Sequence, residues 1–292
     1  MTKETFLANG GLNFTVSKQK MNYSWQNVED QLEYRHTPFF CTVNDMSAQA
    51  LGPVRGAYTV MQNEDLLDLV LNKIGEGNYD LGDSACGTFD KGRKVYLFIK
   101  YKKMDTDWGQ EVANCYVYAL SSHDGSQRLT FGIANKIHSC SNMFGLLMND
   151  KDKNHIMKHT KQMDDKSMGS SLENLIENNL KGVASLMRTM QKHNISKHDS
   201  FVSDVIDLIA NSKNKIKTAK WHVRRDSAVD CVMGEMEEKG DTYYGLFNGI
   251  TNYLTHNANI ELIDNIAGKG SKISNQALQM IVKKMRETGC LN

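Results

Sequence analysis

The chain has almost no proline. Among 292 residues only Pro38 and Pro53 occur, so everything after Pro53 is open to uninterrupted helix or strand. A dominant sign of charge is also missing. Lys and Arg total 35 against 34 Asp and Glu, so only local clustering of cations can point to nucleic acid. The six cysteines (Cys41, Cys86, Cys115, Cys140, Cys231, Cys290) are scattered. They form no CxxC pair and no Cys/His group at zinc-ligand spacing. The chain does not open on an apolar run, and no segment approaches the length of a membrane span. Reduced thiols, a cytoplasmic setting and no membrane partner are the expectation.

Signatures of catalysis are missing as well. GxGxxG, HExxH and GxSxG do not occur, and GKGSK at 268–272 lacks the earlier glycine and the leading strand of a phosphate loop. This reading expects no catalytic residue, no cofactor and no metal. The one enzymatic alternative is a site assembled from scattered residues such as Asp83, Asp90, His123 and Asp124.

What is present suffices for a core, with 40% hydrophobic and 8% aromatic residues. The first forty residues are polar and irregular, with Phe6, Phe14, Tyr23, Trp25 and Tyr34 among them, and read as an extended arm or packing extension. After the Gly-Pro turn at 52–53 and a short strand-like run, Leu66, Leu67, Val70, Leu71 and Ile74 recur at helical spacing, with Asn63 as the expected N-cap. The period then changes. KVYLFIKYKK (94–103), NCYVYALSS and QRLTFGIANKIHSCS read as strands close in sequence, which favours hairpin connections, and HDGS reads as a tight turn. From Asn149 onward helices dominate, at 170–191, 199–225, 241–255 and 271–287, after a polar stretch at 150–166. Asn142 is expected to cap a helix over MFGLLMND. The fold class is α+β: an antiparallel β-meander packed on helices, then a helical C-terminal half. The arm is placed at 1–50, the core at 51–150 and the helical region at 151–292.

Two patterns carry chemistry. Lys91, Arg93, Lys94, Lys100, Lys102, Lys103, Arg128 and Lys136 gather in the meander, with Arg55 ahead of them, and Tyr96, Phe98, Tyr101, Trp108, Tyr116, Tyr118 and Phe131 are interleaved. Cations for phosphates beside flat rings for bases is the combination that holds single-stranded nucleic acid. Ordinary strands are aromatic too, and ordinary hairpin ends are Lys-rich. Lys213, Lys217, Lys220 and Arg224 form a second stripe on one helical face, which suits a phosphate backbone or simply a solvated surface. His123 and Asp124 are adjacent on a turn and seldom converge on one reacting atom, so a register-setting turn is the favoured reading. His138 and Cys140 share a strand face but are too few for zinc, and Cys140 is read as a small buried residue.

Several segments, in order, resemble the phage/plasmid-like family known as domain of unknown function nine hundred and thirty-two. They are LGPVRGAYTVMQNEDLLDLV, GTFDKGRKVYLFIK, YVYALSSHDGSQ, IHSCSNMF and TYYGLFNGITNYLTH, the last with Asn248, Thr251 and His256 in matching places. The chain departs from the pattern at His138 and Ser139 and in its polar insertion at 150–168. The resemblance implies a phage, prophage or plasmid context, hence the host-cell cytoplasm, and no reaction. The order helix, meander, helix is similar to the core of Rad-fifty-two-type single-strand annealing proteins, which assemble as rings or filaments around a basic groove. That similarity implies a single-stranded DNA-binding and annealing protein of phage recombination or replication. It would act as a homo-oligomer, with a phage exonuclease or host single-strand-binding protein as further partners. The alternative is a phage accessory protein that grips a host or phage protein through its helical half.

Overall fold

The structure is a computed structural model. It describes residues 1–27, 31–107, 112–137, 143–145, 155–157, 169–210, 219–258 and 269–291, with side chains at 103–113, 135–180 and 269 outside the description. The expectations placed on Trp108, His138, Cys140, Asn142, Lys213 and Lys217 lie outside the described residues. Lys103 and Lys136 are described in backbone only.

Two antiparallel sheets and a set of helices make an α+β fold, helical in its C-terminal half. Two compact units emerge, the first formed by residues 1–103, 116–132 and 154–174, the second by 104–115, 133–153 and 175–292.

The N-terminal stretch is more regular than its polarity suggests. A short helix α1 (Lys3–Asn9) is followed by β1 (Val16–Gln26), β2 (Leu32–Asn44) and β3 (Gln49–Arg55), a three-stranded sheet in that order. The β2–β3 turn is closed by Asn44 Oδ1, which accepts from the amides of Met46 and Ser47. Val16, Leu51 and Val54 anchor the sheet's base in the core together with Phe6 and Leu12. Helix α2 (Asn63–Ile74) buries the expected Leu66, Leu67, Val70, Leu71 and Ile74. Its cap differs from expectation. Gln62 is the N-cap, and Asn63 lies inside the first turn, buried, where its amide donates to the carbonyls of Leu12 and Phe14. The asparagine serves a tertiary contact in place of its own helix end.

The second sheet has the order β4-β5-β6-β7-β8, with β9 also pairing β7. Its strands are β4 (Tyr79–Phe89), β5 (Lys94–Asp107), β6 (Val112–Ser122), β7 (Leu129–Ile137), β8 (Met143–Gly145) and β9 (His155–Met157). β4 is absent from the sequence reading because Gly82, Asp83, Ser84 and Gly87 imitate a loop. It is an edge strand with an irregularity between Asp80 and Ala85, where such residues are tolerated. Met143–Gly145 is strand rather than the expected helix start, held by Met143 opposite Lys136 and Gly145 opposite Ala134.

The helical unit is built from α3 (Gly169–Lys192), α4 (Ser200–Ile209), α5 (Ala219–Lys239), α6 (Tyr243–Asn252) and α7 (Lys269–Glu287). The single helix expected over 199–225 is two elements, α4 and α5. α4 starts on Asp199, whose carboxylate accepts from Phe201 N–H, and buries Val202, Val205, Ile206 and Ile209 along one face. α6 starts on Thr242, whose hydroxyl accepts from Gly245 N–H. It is buried on all sides from Tyr243 to Thr251, which makes it the central helix of this unit. A Cβ on Gly249 would sit 2.4 Å from Val232 Cα, so α5 and α6 touch backbone to backbone there.

Candidate nucleic-acid interface

One end of the first unit is a junction of turns. Between β4 and β5, Asp90, Lys91 and Gly92 all take positive φ, at 54, 57 and 81°, a run that only a very tight turn imposes on non-glycine residues. It lifts Lys91 and Arg93 into solvent. Between β6 and β7 the expected HDGS turn forms. Gly125 has φ 72°, Asp124 Oδ1 accepts from Ser126 N–H at 2.9 Å, and Ser122 Oγ both accepts from Gln127 N–H and donates to its carbonyl.

The two turns are tied together. His123 N–H donates to Arg93 O at 2.7 Å, and Gln49 Nε2 donates to Lys91 O at 3.2 Å. The segment that follows β3 joins them through Tyr58 Oη, which donates to Ser122 O at 2.5 Å. Burial, with Asp124 nearby, raises the Tyr58 phenol far above its ordinary range, so it stays a neutral donor. The consequence is that Arg55, Lys91, Arg93 and Arg128, spread over more than seventy residues of sequence, are exposed on segments that these bonds join. No ion pair involves any of these four among the described residues.

The other expected cations divide. Lys94 lies 3.7 Å from Asp90 and over the Phe89 ring. Lys100 pairs with Asp83 at 2.7 Å. Lys102 is exposed on the same face of β5 as Lys94 and Lys100. Lys220 and Arg224 are exposed on α5 in the helical unit.

The rings do not behave as the sequence pattern suggests. Tyr101, Tyr116, Tyr118, Phe98 and Phe131 are all buried, so they are core and offer no open face to a base. Tyr101 also lies on the opposite face of β5 from Lys100 and Lys102. Phe89, Tyr96, Phe98 and Tyr118 form a row across the sheet with centroids 6.5, 5.6 and 6.1 Å apart. Two glycines make room for it, because a Cβ on Gly87 would meet Tyr96 at 2.6 Å and one on Gly132 would meet Tyr118 at 2.4 Å. Only Phe89 and Tyr96, toward the turn junction, are half-open. Among the described residues the rings that most face solvent lie on the β1–β2 hairpin, where Tyr23 is 50% and Tyr34 67% exposed. By sequence pattern these belong to an irregular arm.

His123 is buried. Its Nε2 lies 3.1 Å from Asn63 Oδ1, and its ring meets Phe14 edge-on. The histidine pins the turn to α2, in line with a register-setting role. Asp83 and Asp90 face different stretches of β5, through Lys100 and Lys94 respectively, which are six residues apart and so separated by about 20 Å of strand. The scattered acid–base set is therefore not brought together. Among the described residues no cluster of His, Cys, Asp and Glu suits a metal ion, and no helix is long and apolar enough to cross a membrane.

The family model described as Domain of unknown function (DUF932) matches residues 50–287. The chain belongs to this family. No curated protein and no solved structure matches it. The matched span holds β3, α2, the turn junction and the helices from α3 to α7, whereas β1 and β2 precede it. Within the helical unit the family-like residues of α6 point inward. Asn248 is fully buried, and its amide makes no hydrogen bond among the described residues. Thr251 is buried and donates to Asn248 O at 2.9 Å. One turn on, Asn252 donates to the buried Glu235 at 2.7 Å, and the helix widens into a π-helical turn at Tyr253–Asn257. His256 of that turn is exposed.

Proposed function

We propose that this member of the family binds single-stranded DNA at the turn junction and promotes its annealing, in phage recombination or replication in the host-cell cytoplasm, as an oligomer. The observation that carries this reading is the exposure of Arg55, Lys91, Arg93 and Arg128, outside any described ion pair, on three chain segments bonded to one another. Local acids are fewer, with Asp90 already turned to Lys94 and Asp124 to the turn backbone. Such a cationic rim neutralises phosphates and releases counterions, so affinity falls steeply with salt. Phe89 and Tyr96, half-open beside Lys94, are the rings of this end suited to stacking. With contacts restricted to phosphates and ring faces, the pairing edges of the bases stay available to a complementary strand. No covalent step is required, and neither cofactor nor metal enters.

The test is fluorescence anisotropy of a labelled single strand at low and high salt, followed by addition of its complement. Binding that weakens with salt and a faster duplex-forming step are expected. The triple variant Lys91→Ala, Arg93→Ala, Arg128→Ala should bind more weakly and flatten the salt dependence by roughly 0.7 in log–log slope for each phosphate no longer neutralised. Absence of binding at low salt would overturn the proposal and leave a protein partner for the helical half as the reading to pursue.

A further inference from the structure

The β1–β2 hairpin changes character half-way along. Near its base both of its edges have partners. β3 covers β2 from Phe39 to Asn44, and Gln62 covers the outer edge of β1 by accepting from Val16 N–H and donating to Val16 O, both at 2.9 Å. Lys18 reaches across to the carbonyls of Gly56 and Tyr58. A shift of register between Lys20 and Asn22 then marks the point where the hairpin leaves this support.

Beyond it, Asn22–Gln26 and Leu32–His36 pair only with each other among the described residues. A two-stranded ribbon of this kind is marginal in water, and three or more strands are needed for independent stability. Its two edges are unequal. The β2 edge carries Glu33, Arg35 and Pro38, the charges and missing N–H that keep an edge from pairing with another chain. The β1 edge reads Asn-Tyr-Ser-Trp-Gln and has neither charge nor proline. Every protective feature of β1 (Lys18, Lys20 and the register shift) lies on the supported half.

We infer that the uncharged outer edge of β1, Asn22–Gln26, pairs antiparallel with the same segment of a second copy of this chain, joining two three-stranded sheets into one. The segment is its own complement. With the two-fold at Ser24, Tyr23 faces Trp25 of the other copy and Asn22 faces Gln26, so rings meet rings and amides meet amides. Tyr23 and Trp25 already lie 5.4 Å apart, with Arg35 over the Trp25 ring, and the pairing lengthens this row on one face. A nucleic-acid strand is the less suited occupant, because Glu33 cancels Arg35 on the described part of the ribbon. The inference names a contact for the oligomer of the proposed function and does not rest on DNA binding, so the two tests are separable: one is read by assembly, the other by oligonucleotide binding.

Sedimentation velocity of the full chain over a range of concentrations tests it, with Ser24→Pro and Ser24→Lys compared with the unaltered chain. Ser24→Pro deletes an edge donor. Ser24→Lys keeps every backbone N–H and sets two charges against each other at the two-fold. The unaltered chain should self-associate, and each variant should weaken association at least tenfold while keeping its circular dichroism spectrum. If Ser24→Pro misfolds, Ser24→Lys decides alone. An unaltered chain that stays monomeric at the highest concentration overturns the inference, as does association that Ser24→Lys leaves unchanged. In the second case another surface joins the copies.

Discussion

The two sheets use similar residues to opposite ends. Both interleave rings with lysine and arginine along their strands. In the second sheet Phe98 and Tyr118 are buried to 1% exposure, while on the ribbon of the first Tyr23 and Tyr34 stand at least half in water. The difference lies in what surrounds each strand. β5 is flanked by strands on both sides and faces Gly87, which leaves a socket for Tyr96, whereas each strand of the distal ribbon has one neighbour among the described residues. Aromatic alternation therefore reports a strand. It does not report whether the strand's rings are core or surface, because that is decided by partners distant in sequence.

The largest effect is expected at the buried end. Phe98→Ala removes a ring packed between Tyr96 and Tyr118 and should cost about 3–5 kcal/mol in a denaturant titration, the range for emptying a large core site. A loss of less than about 1 kcal/mol would mean that the row is not core. Gly132→Ala tests the socket rather than the ring. The added methyl falls on Tyr118 at 2.4 Å on a strand with neighbours on both sides, so the ring must shift, at a cost of about 1–3 kcal/mol. The phenol itself has no partner among the described residues, and burial holds its pKa far above the ordinary range. Tyr118→Phe should for that reason be neutral or slightly stabilising.

Legibility followed the same divide. Helix α2, the strands β5 and β6, the HDGS turn and α6 could be read because each is set by local pattern: apolar residues at helical spacing, β-branched and aromatic runs, a glycine where φ is positive. β4 could not, since Gly82 and Gly87 look like loop residues, and only the neighbouring Tyr96 ring explains why position 87 must lack a side chain. The cations form a visible cluster in sequence, yet which of them share a surface was hidden. His123 N–H bonding Arg93 O is a contact between residues thirty apart, and no local signal announces it. Of the rings interleaved with them, Phe98, Tyr101, Tyr116, Tyr118 and Phe131 are core, which partners distant in sequence decide. The hairpin reads as an irregular arm because its distal rings are separated by polar residues and lack the β-branched and aliphatic run of a core strand, so the short alternation from Asn22 to Gln26 does not stand out.

The helical unit offers an intermediate test, since its polar groups are the buried ones. Asn248 hides an amide with no described partner, and such a group carries a desolvation penalty of about 1–3 kcal/mol. Asn248→Leu is close in volume and should leave stability unchanged or raise it by about 1 kcal/mol. If Asn248→Leu lowers stability by more than about 2 kcal/mol, the amide is engaged in the folded protein through a bond that a described side chain does not supply.

The smallest effect belongs to the ribbon, and there the absence of an effect is the informative outcome. Tyr34 is two-thirds exposed and sits opposite Ser24, with no core to lose. Tyr34→Ala should therefore change the unfolding free energy by less than about 0.5 kcal/mol, as for an ordinary surface position. Measured at low protein concentration, where copies are apart, that value isolates the single chain. Measured again at high concentration, the same substitution should cost more if copies pair through β1. Pairing at the edge orders the whole ribbon, and the Tyr34 ring then packs beside a strand that no longer frays. A cost that rises with concentration would separate a ribbon held by its own residues from one that depends on a second copy, because the intrinsic contribution of a surface tyrosine has no reason to depend on concentration.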